Sequence, residues 1–198
     1  MKILRVFVIV LVTVAFVLSC TSKGSTETVV NEGFKWSLED AEAGAGGWTT
    51  APDEFWDFKG TMNVSRDATT MGKPMLRVDV DFSRDAGSWW SEPKLRYDFE
   101  EPISLAGLSR LAFDFYYNPN NASTGFFKGK FIGFLGTRSI VEAELDGIRA
   151  IEEVGDYMKA NVVFRIRSTR EIDSLRIGIV GAVTNYNGPI FIDNIRLE

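Results

Sequence analysis

The chain has 198 residues, 22 Lys and Arg against 27 Asp and Glu, one cysteine and no histidine. The missing imidazole removes Ser-His-Asp and Cys-His nucleophilic chemistry and zinc sites built on histidine. The single cysteine, Cys20, removes any intramolecular disulfide, and the acidic balance without a basic run lacks the footprint of a nucleic-acid binder.

Lys2 and Arg5 precede an apolar run from Val6 to Leu18 and then Ser19-Cys20. A basic start, a run of this length and a small residue before the break describe an export signal, too short for a comfortable membrane span. Val17-Leu18-Ser19-Cys20 resembles the bacterial lipobox, which implies cleavage before Cys20 and lipidation of it. An ordinary cleaved signal with an incidental cysteine, or an uncleaved anchor, are the plainer alternatives. Residues 1–19 are thus expected to be a lipoprotein signal peptide, leaving 20 basic side chains against 27 acidic ones. No polybasic patch is visible in the sequence, so membrane attachment is expected through the lipid alone. Residues 20–32, rich in Ser, Thr, Gly and Glu, read as a flexible tether. Residues 33–198 are one domain of ordinary size.

Strand patterns follow. Leu76, Val78, Val80 and Phe82 alternate with polar residues; so do Leu111 to Tyr117, Val162 to Ile166 and Leu175 to Ile179. Weaker candidates are Phe34–Glu39, Phe58–Val64, Lys94–Phe99, Lys130–Leu135 and Ile140–Leu145. Turns such as Asn118-Pro-Asn-Asn121 and Asn185-Tyr-Asn-Gly188 separate them. About ten one-sided strands without a sustained helical period predict an all-β domain, a two-sheet antiparallel β-sandwich of jelly-roll type.

In the last segment, Gly188 to Leu197, a period of two places Phe191, Asp193, Ile195 and Leu197 on one face. A carboxylate in an apolar layer needs a counter-charge or a metal. The pairs Glu142/Glu144, Glu152/Glu153 and Glu100/Glu101 offer carboxylates for glycosidase chemistry, although a solvated strand face accounts for them more simply. In Ser88-Trp-Trp-Ser91 an extended backbone sends the two indoles to opposite sides, so one of them must face out or lie under a loop. Exposed aromatics suit sugars, whose C–H faces stack on rings. Trp48, Trp56, Trp89 and Trp90 are the candidates.

Leu175-Arg-Ile-Gly-Ile-Val-Gly181 followed by Tyr186-Asn-Gly-Pro-Ile-Phe-Ile-Asp-Asn-Ile-Arg-Leu197 resembles the family 27 carbohydrate-binding modules, mannan-binding β-sandwiches attached to bacterial mannanases. A looser match runs from Gly47-Trp48 through Leu76-Arg-Val-Asp-Val80 to Trp90 and Phe99. The resemblance implies a platform of solvent-facing tryptophans for β-1,4-linked mannose units, carried first by Trp90 and then by Trp56 or Trp48. A third family tryptophan would fall near Gly136 to Ser139, where this chain has none and Arg138 could take its part. Glu92, Arg96, Arg138 and Glu142 are the polar partners implied on the same face. It further implies a structural calcium held by Asp193 with Glu39, or Asp40, after the first strand.

The expected protein is therefore an exported, lipid-anchored, non-catalytic binder of mannan, glucomannan or manno-oligosaccharides. It would serve a separate surface hydrolase or transporter. A protein-interaction or assembly sandwich, and a small glycosidase or lyase, are the rival readings.

Overall fold

The computed structural model describes residues 33–38 and 44–198. By packing the chain divides into two units, Met1–Val30 and Asn31–Glu198. The signal segment, Cys20 and the tether lie outside the described residues, as do Glu39 and Asp40.

Twelve strands are described: β1 (Phe34–Trp36), β2 (Thr49–Thr50), β3 (Thr61–Asp67), β4 (Met75–Asp81), β5 (Lys94–Ser104), β6 (Arg110–Tyr117), β7 (Phe126–Leu135), β8 (Arg138–Leu145), β9 (Glu152–Val154), β10 (Tyr157–Arg165), β11 (Glu171–Ala182) and β12 (Asn187–Leu197). They form a seven-stranded sheet in the order β3-β4-β12-β6-β10-β9, with β1 also on β12, and a five-stranded sheet in the order β2-β5-β11-β7-β8. The ladders are antiparallel, as in the sandwich expected from alternation. Strands β2 and β9, of two and three residues, are too short to show a period in the sequence.

The alternating residues do what a one-sided strand requires. Leu76, Val78 and Val80 of β4, Leu111, Phe113 and Phe115 of β6, and Val162 and Phe164 of β10 meet Leu95, Leu175, Ile177 and Phe131 of the other sheet in one buried cluster. Edge-on aromatic contacts run through it, such as Phe82 on Phe127 and Phe127 on Phe115, with ring centroids 6.1 and 5.4 Å apart. Trp48 belongs here too: its ring packs edge-on against Trp36 and tilted against Tyr97.

The last strand corrects the simple period. Ile190 and Ile192 face the core, while Phe191 joins Met75 and Tyr116 on the outer side of the seven-stranded sheet. The β12–β6 ladder then slips between Asp193 and Arg196, and Asn194 takes φ 56°. Asparagine tolerates that left-handed conformation better than most residues, and the extra residue is a β-bulge. It reverses the parity, so Ile195 and Leu197 return to the core while Asp193 stays outside. Here β1 takes over the edge of β12 that β4 leaves, pairing Phe34 with Leu197 and Trp36 with Ile195.

Candidate functional site

The outer face of the five-stranded sheet carries the chain's exposed tryptophans. Its rows follow from the register. Arg96 of β5, Arg176 of β11, Ile132 of β7 and Glu142 of β8 lie side by side, and one step along come Lys94, Gly178, Lys130 and Glu144. Beyond β5, an isolated antiparallel bridge joins Glu92 to Trp56, which sets their side chains on the same face. Trp56 is 67% exposed and Trp89 is 60% exposed.

At Ser88–Ser91 the backbone bends, which overturns the expectation of opposed indoles. Both rings meet the same ammonium: Lys128 Nζ lies 4.3 Å from the Trp89 ring centroid and 5.2 Å from that of Trp90. A cation over two indole faces holds both on one side. Phe126 extends the apolar end, edge-on to Trp89 at 6.0 Å.

Glu92 sits under this platform, 2% exposed. The Trp90 indole N–H donates to Glu92 Oε2 at 2.7 Å. Lys94 Nζ lies 2.9 Å from Oε1, an ion pair without hydrogen-bond alignment, and Lys130 Nζ lies 4.0 Å from Oε2. Gly178 makes the space: a Cβ there would stand 3.1 Å from both Glu92 Cγ and Lys130 Cβ. Lys130 also holds Glu142 at 2.5 Å and Glu144 at 3.3 Å. Burial lowers the Lys130 pKa, but the Glu142 hydrogen bond and the charges of Glu92 and Glu142 outweigh it and the pKa rises. The Glu142/Glu144 pair is therefore bridged by a shared cation.

The other end of the face is a groove of about 520 Å³ lined by Glu54, Lys94, Arg96, Ile132, Phe134 and Arg176, among others. Glu54 comes from a 3-10 turn, Pro52–Glu54, and both its oxygens accept from Arg176 Nε at 2.9 Å. The Arg176 guanidinium stacks on Phe134, 5.1 Å from the ring centroid. Arg96 donates through Nε to both Asp98 oxygens, at 2.9 and 2.8 Å, which raises its pKa. Arg138 is exposed where the chain turns from β7 into β8, opposite Leu135 and beside Gly136 and Thr137 of the groove. The structure so brings Trp56, Trp89, Trp90, Glu92, Arg96 and Glu142 onto one face, with Arg138 at its rim.

Trp48 is not among them. At 2% exposure it has no face to offer a ligand. Sequence reasoning missed Lys94, Lys128, Lys130, Arg176, Glu54 and Phe134. The available signal was the i, i+2 spacing of Lys94 with Arg96 and of Lys128 with Lys130, which aligns each pair on one strand face.

On the opposite face of the sandwich, Asp193 is 3% exposed. Lys73 Nζ lies 2.5 Å from its Oδ2, while Oδ1 is buried with no hydrogen-bond partner among the described residues. The counter-charge is thus a lysine from the β3–β4 loop.

Among solved structures, the module TmCBM27, reported for specific mannan recognition, superposes with a TM-score of 0.63 at 22% identity, over 83% of this chain and 94% of that one. CBM27-1 of Caldicellulosiruptor saccharolyticus, solved with mannohexaose, gives 0.63 at 22% identity, over 83% of this chain and 96% of that one. A CBM28 module specific for non-crystalline cellulose gives 0.60 at 18% identity, over 82% and 92%. No curated protein matches the chain. Residues 52–198 match the sequence model of carbohydrate binding module 27, and the chain belongs to that family of non-catalytic carbohydrate-binding modules.

Proposed function

We propose that this protein binds β-1,4-mannan, glucomannan or manno-oligosaccharides at the cell surface, and breaks no bond. The observation that carries the reading is the alignment of Trp56, Trp89 and Trp90 above a lattice of fixed charges on one sheet face. Indole faces take the C–H patches of the sugar, and paired Arg, Lys and carboxylate groups offer donors and acceptors to its hydroxyls. The module with mannohexaose supports this choice of sugar. Phe134 and Arg176 stand near the end of the face where the third tryptophan is missing, and there they give a flat surface of a different kind. The test is calorimetric titration of residues 25–198, which contain the whole unit Asn31–Glu198 and its core, with mannohexaose, cellohexaose and xylohexaose. Heat with mannohexaose that disappears in Trp90→Ala supports the reading; no heat with any of the three overturns it.

Two further parts belong to the same reading. Lipidation of Cys20 holds the domain outside the cytoplasm, where it serves a hydrolase or transporter; intact mass of the membrane-extracted protein tests it. Calcium sits beside Asp193 with Glu39, or Asp40, as its partner. The unpartnered, buried Oδ1 of Asp193 is the hard oxygen such an ion takes. Glu39 and Asp40 directly follow Leu38 in sequence, and β1 runs along β12 toward Asp193. Calcium there would tie the segment after β1 to the last strand.

A further inference from the structure

The outer face of the seven-stranded sheet, opposite the tryptophan face, carries a cluster of cations assembled from four strands. Lys35 of β1 stands directly opposite Arg196 of β12, and Arg110 of β6 directly opposite Arg165 of β10. Arg196 and Arg110 are linked across the β12–β6 ladder, since Arg196 pairs with Ala112. Arg167, exposed, extends the row beyond β10. Like charges placed directly across a ladder are destabilising, so two such pairs in one patch oppose folding.

Little in the patch relieves this. Glu198 alone is shared by Arg110 and Arg196, at 3.1 and 3.4 Å. Lys35, Arg165 and Arg167 make no ion pair among the described residues. The carboxylates farther along β6 and β12 are already engaged, Asp114 by Lys159 and Asp193 by Lys73, and Glu142 and Glu144, which line a cleft with Arg165 and Arg167, are held by Lys130. Four neighbouring strands make the patch about 14 Å wide, more than the roughly 8 Å over which salt screens a charge. An external polyanion is what such a surface fits.

We infer that this face docks on an anionic phospholipid bilayer. Two observations select that occupant. The chain that precedes the domain enters at Phe34, one residue from Lys35, so the patch lies beside the root of the tether. Residues 20–32, fully extended, span at most about 45 Å, which keeps the domain within reach of whatever surface holds Cys20. With the cationic face on headgroups, the tryptophan face on the other side of the sandwich points away from the membrane, open to polysaccharide. The inference uses the lipid-anchor reading for the presence of a membrane, and the two fail separately: the mass of Cys20 reports the anchor, vesicle binding by an unlipidated chain reports the patch.

The experiment is co-sedimentation of unlipidated residues 25–198 with vesicles of phosphatidylcholine alone or mixed with phosphatidylglycerol, at low and high salt. Binding to the mixed vesicles only, lost at high salt, is expected. Each basic side chain near an anionic surface contributes roughly fivefold in partition, so Lys35→Ala/Arg165→Ala/Arg167→Ala should bind about a hundredfold more weakly. All three side chains are exposed, and removing one member of each like-charge pair relieves repulsion, so the variant is expected to melt no lower than the parent and to keep its mannohexaose affinity, which reports an intact fold. Equal sedimentation with both vesicle types, an unchanged triple variant, or retention on DNA or a soluble polyanion without vesicle binding would each overturn the assignment.

Discussion

Trp56→Ala separates a binding tryptophan from a structural one. The Trp56 side chain is mostly in solvent and makes no ring contact among the described residues, and its backbone bridge to Glu92 uses N–H and C=O groups that truncation leaves in place. Stability should therefore change by no more than about 0.5 kcal/mol. A sugar stacked on one indole face covers on the order of 80 Å² of apolar surface, worth about 2 kcal/mol at ~25 cal/mol per Å². The dissociation constant for mannohexaose should rise about 30-fold. Trp48→Ala is the contrasting perturbation, because Trp48 fills the core against Trp36 and Tyr97. It should cost about 3–5 kcal/mol of folding stability and leave the affinity of the remaining folded protein unchanged. Urea denaturation and calorimetric titration read the two quantities. A Trp56→Ala protein that binds within about threefold of the parent, or that loses as much stability as Trp48→Ala, would refute the division of roles.

Glu92→Gln removes the carboxylate that faces Lys94 and Lys130 and holds the Trp90 indole, and should cost about 3 kcal/mol in urea denaturation as well as sugar affinity. Calcium should raise the melting temperature of residues 25–198, and Asp193→Asn should abolish that increment; equal increments in both proteins would remove Asp193 from the ion. Burial raises the Asp67 pKa, but the Thr70 and Thr69 amides, the Thr70 hydroxyl and Arg77 outweigh it and bring the pKa from 3.8 to about 2. Its contribution to stability is then complete above pH 3.8 and lost as pH falls through 2, so Asp67→Asn should flatten that part of the acid-denaturation profile.

The sandwich was legible because its strands bury one side each: Leu76, Val78 and Val80 reveal an inward face without knowledge of the partner strand. The period of β11 predicts one buried side, yet Ser174, Arg176 and Val180 on its outer side are also buried, beneath side chains from other segments. That cover comes from residues up to 122 positions away, Glu54 on Arg176 among them, and no local period encodes it. The platform was half legible. Trp56, Trp89 and Trp90 stood out as aromatics near turns, but so did Trp48, because composition around a tryptophan does not say on which side of a sheet its ring will fall.

The order of apolar and polar residues along each strand by itself determined that this chain forms two facing antiparallel sheets, since burying one side of a strand needs only a period of two. The tertiary structure alone decided where charges accumulate. The bulge at Asn194 returned Ile195 and Leu197 to the core and left Asp193 on the outer side, and the ladder registers gathered Lys35, Arg196, Arg110 and Arg165 on one face and Lys94, Lys128, Lys130 and Arg176 on the other. Register is set by pairing between distant segments, and Coulomb energies depend on the distances that pairing creates. A sequence without a basic run can therefore fold into a protein whose basic side chains cluster on its two sheet faces, paired with carboxylates on one and, among the described residues, mostly unpaired on the other.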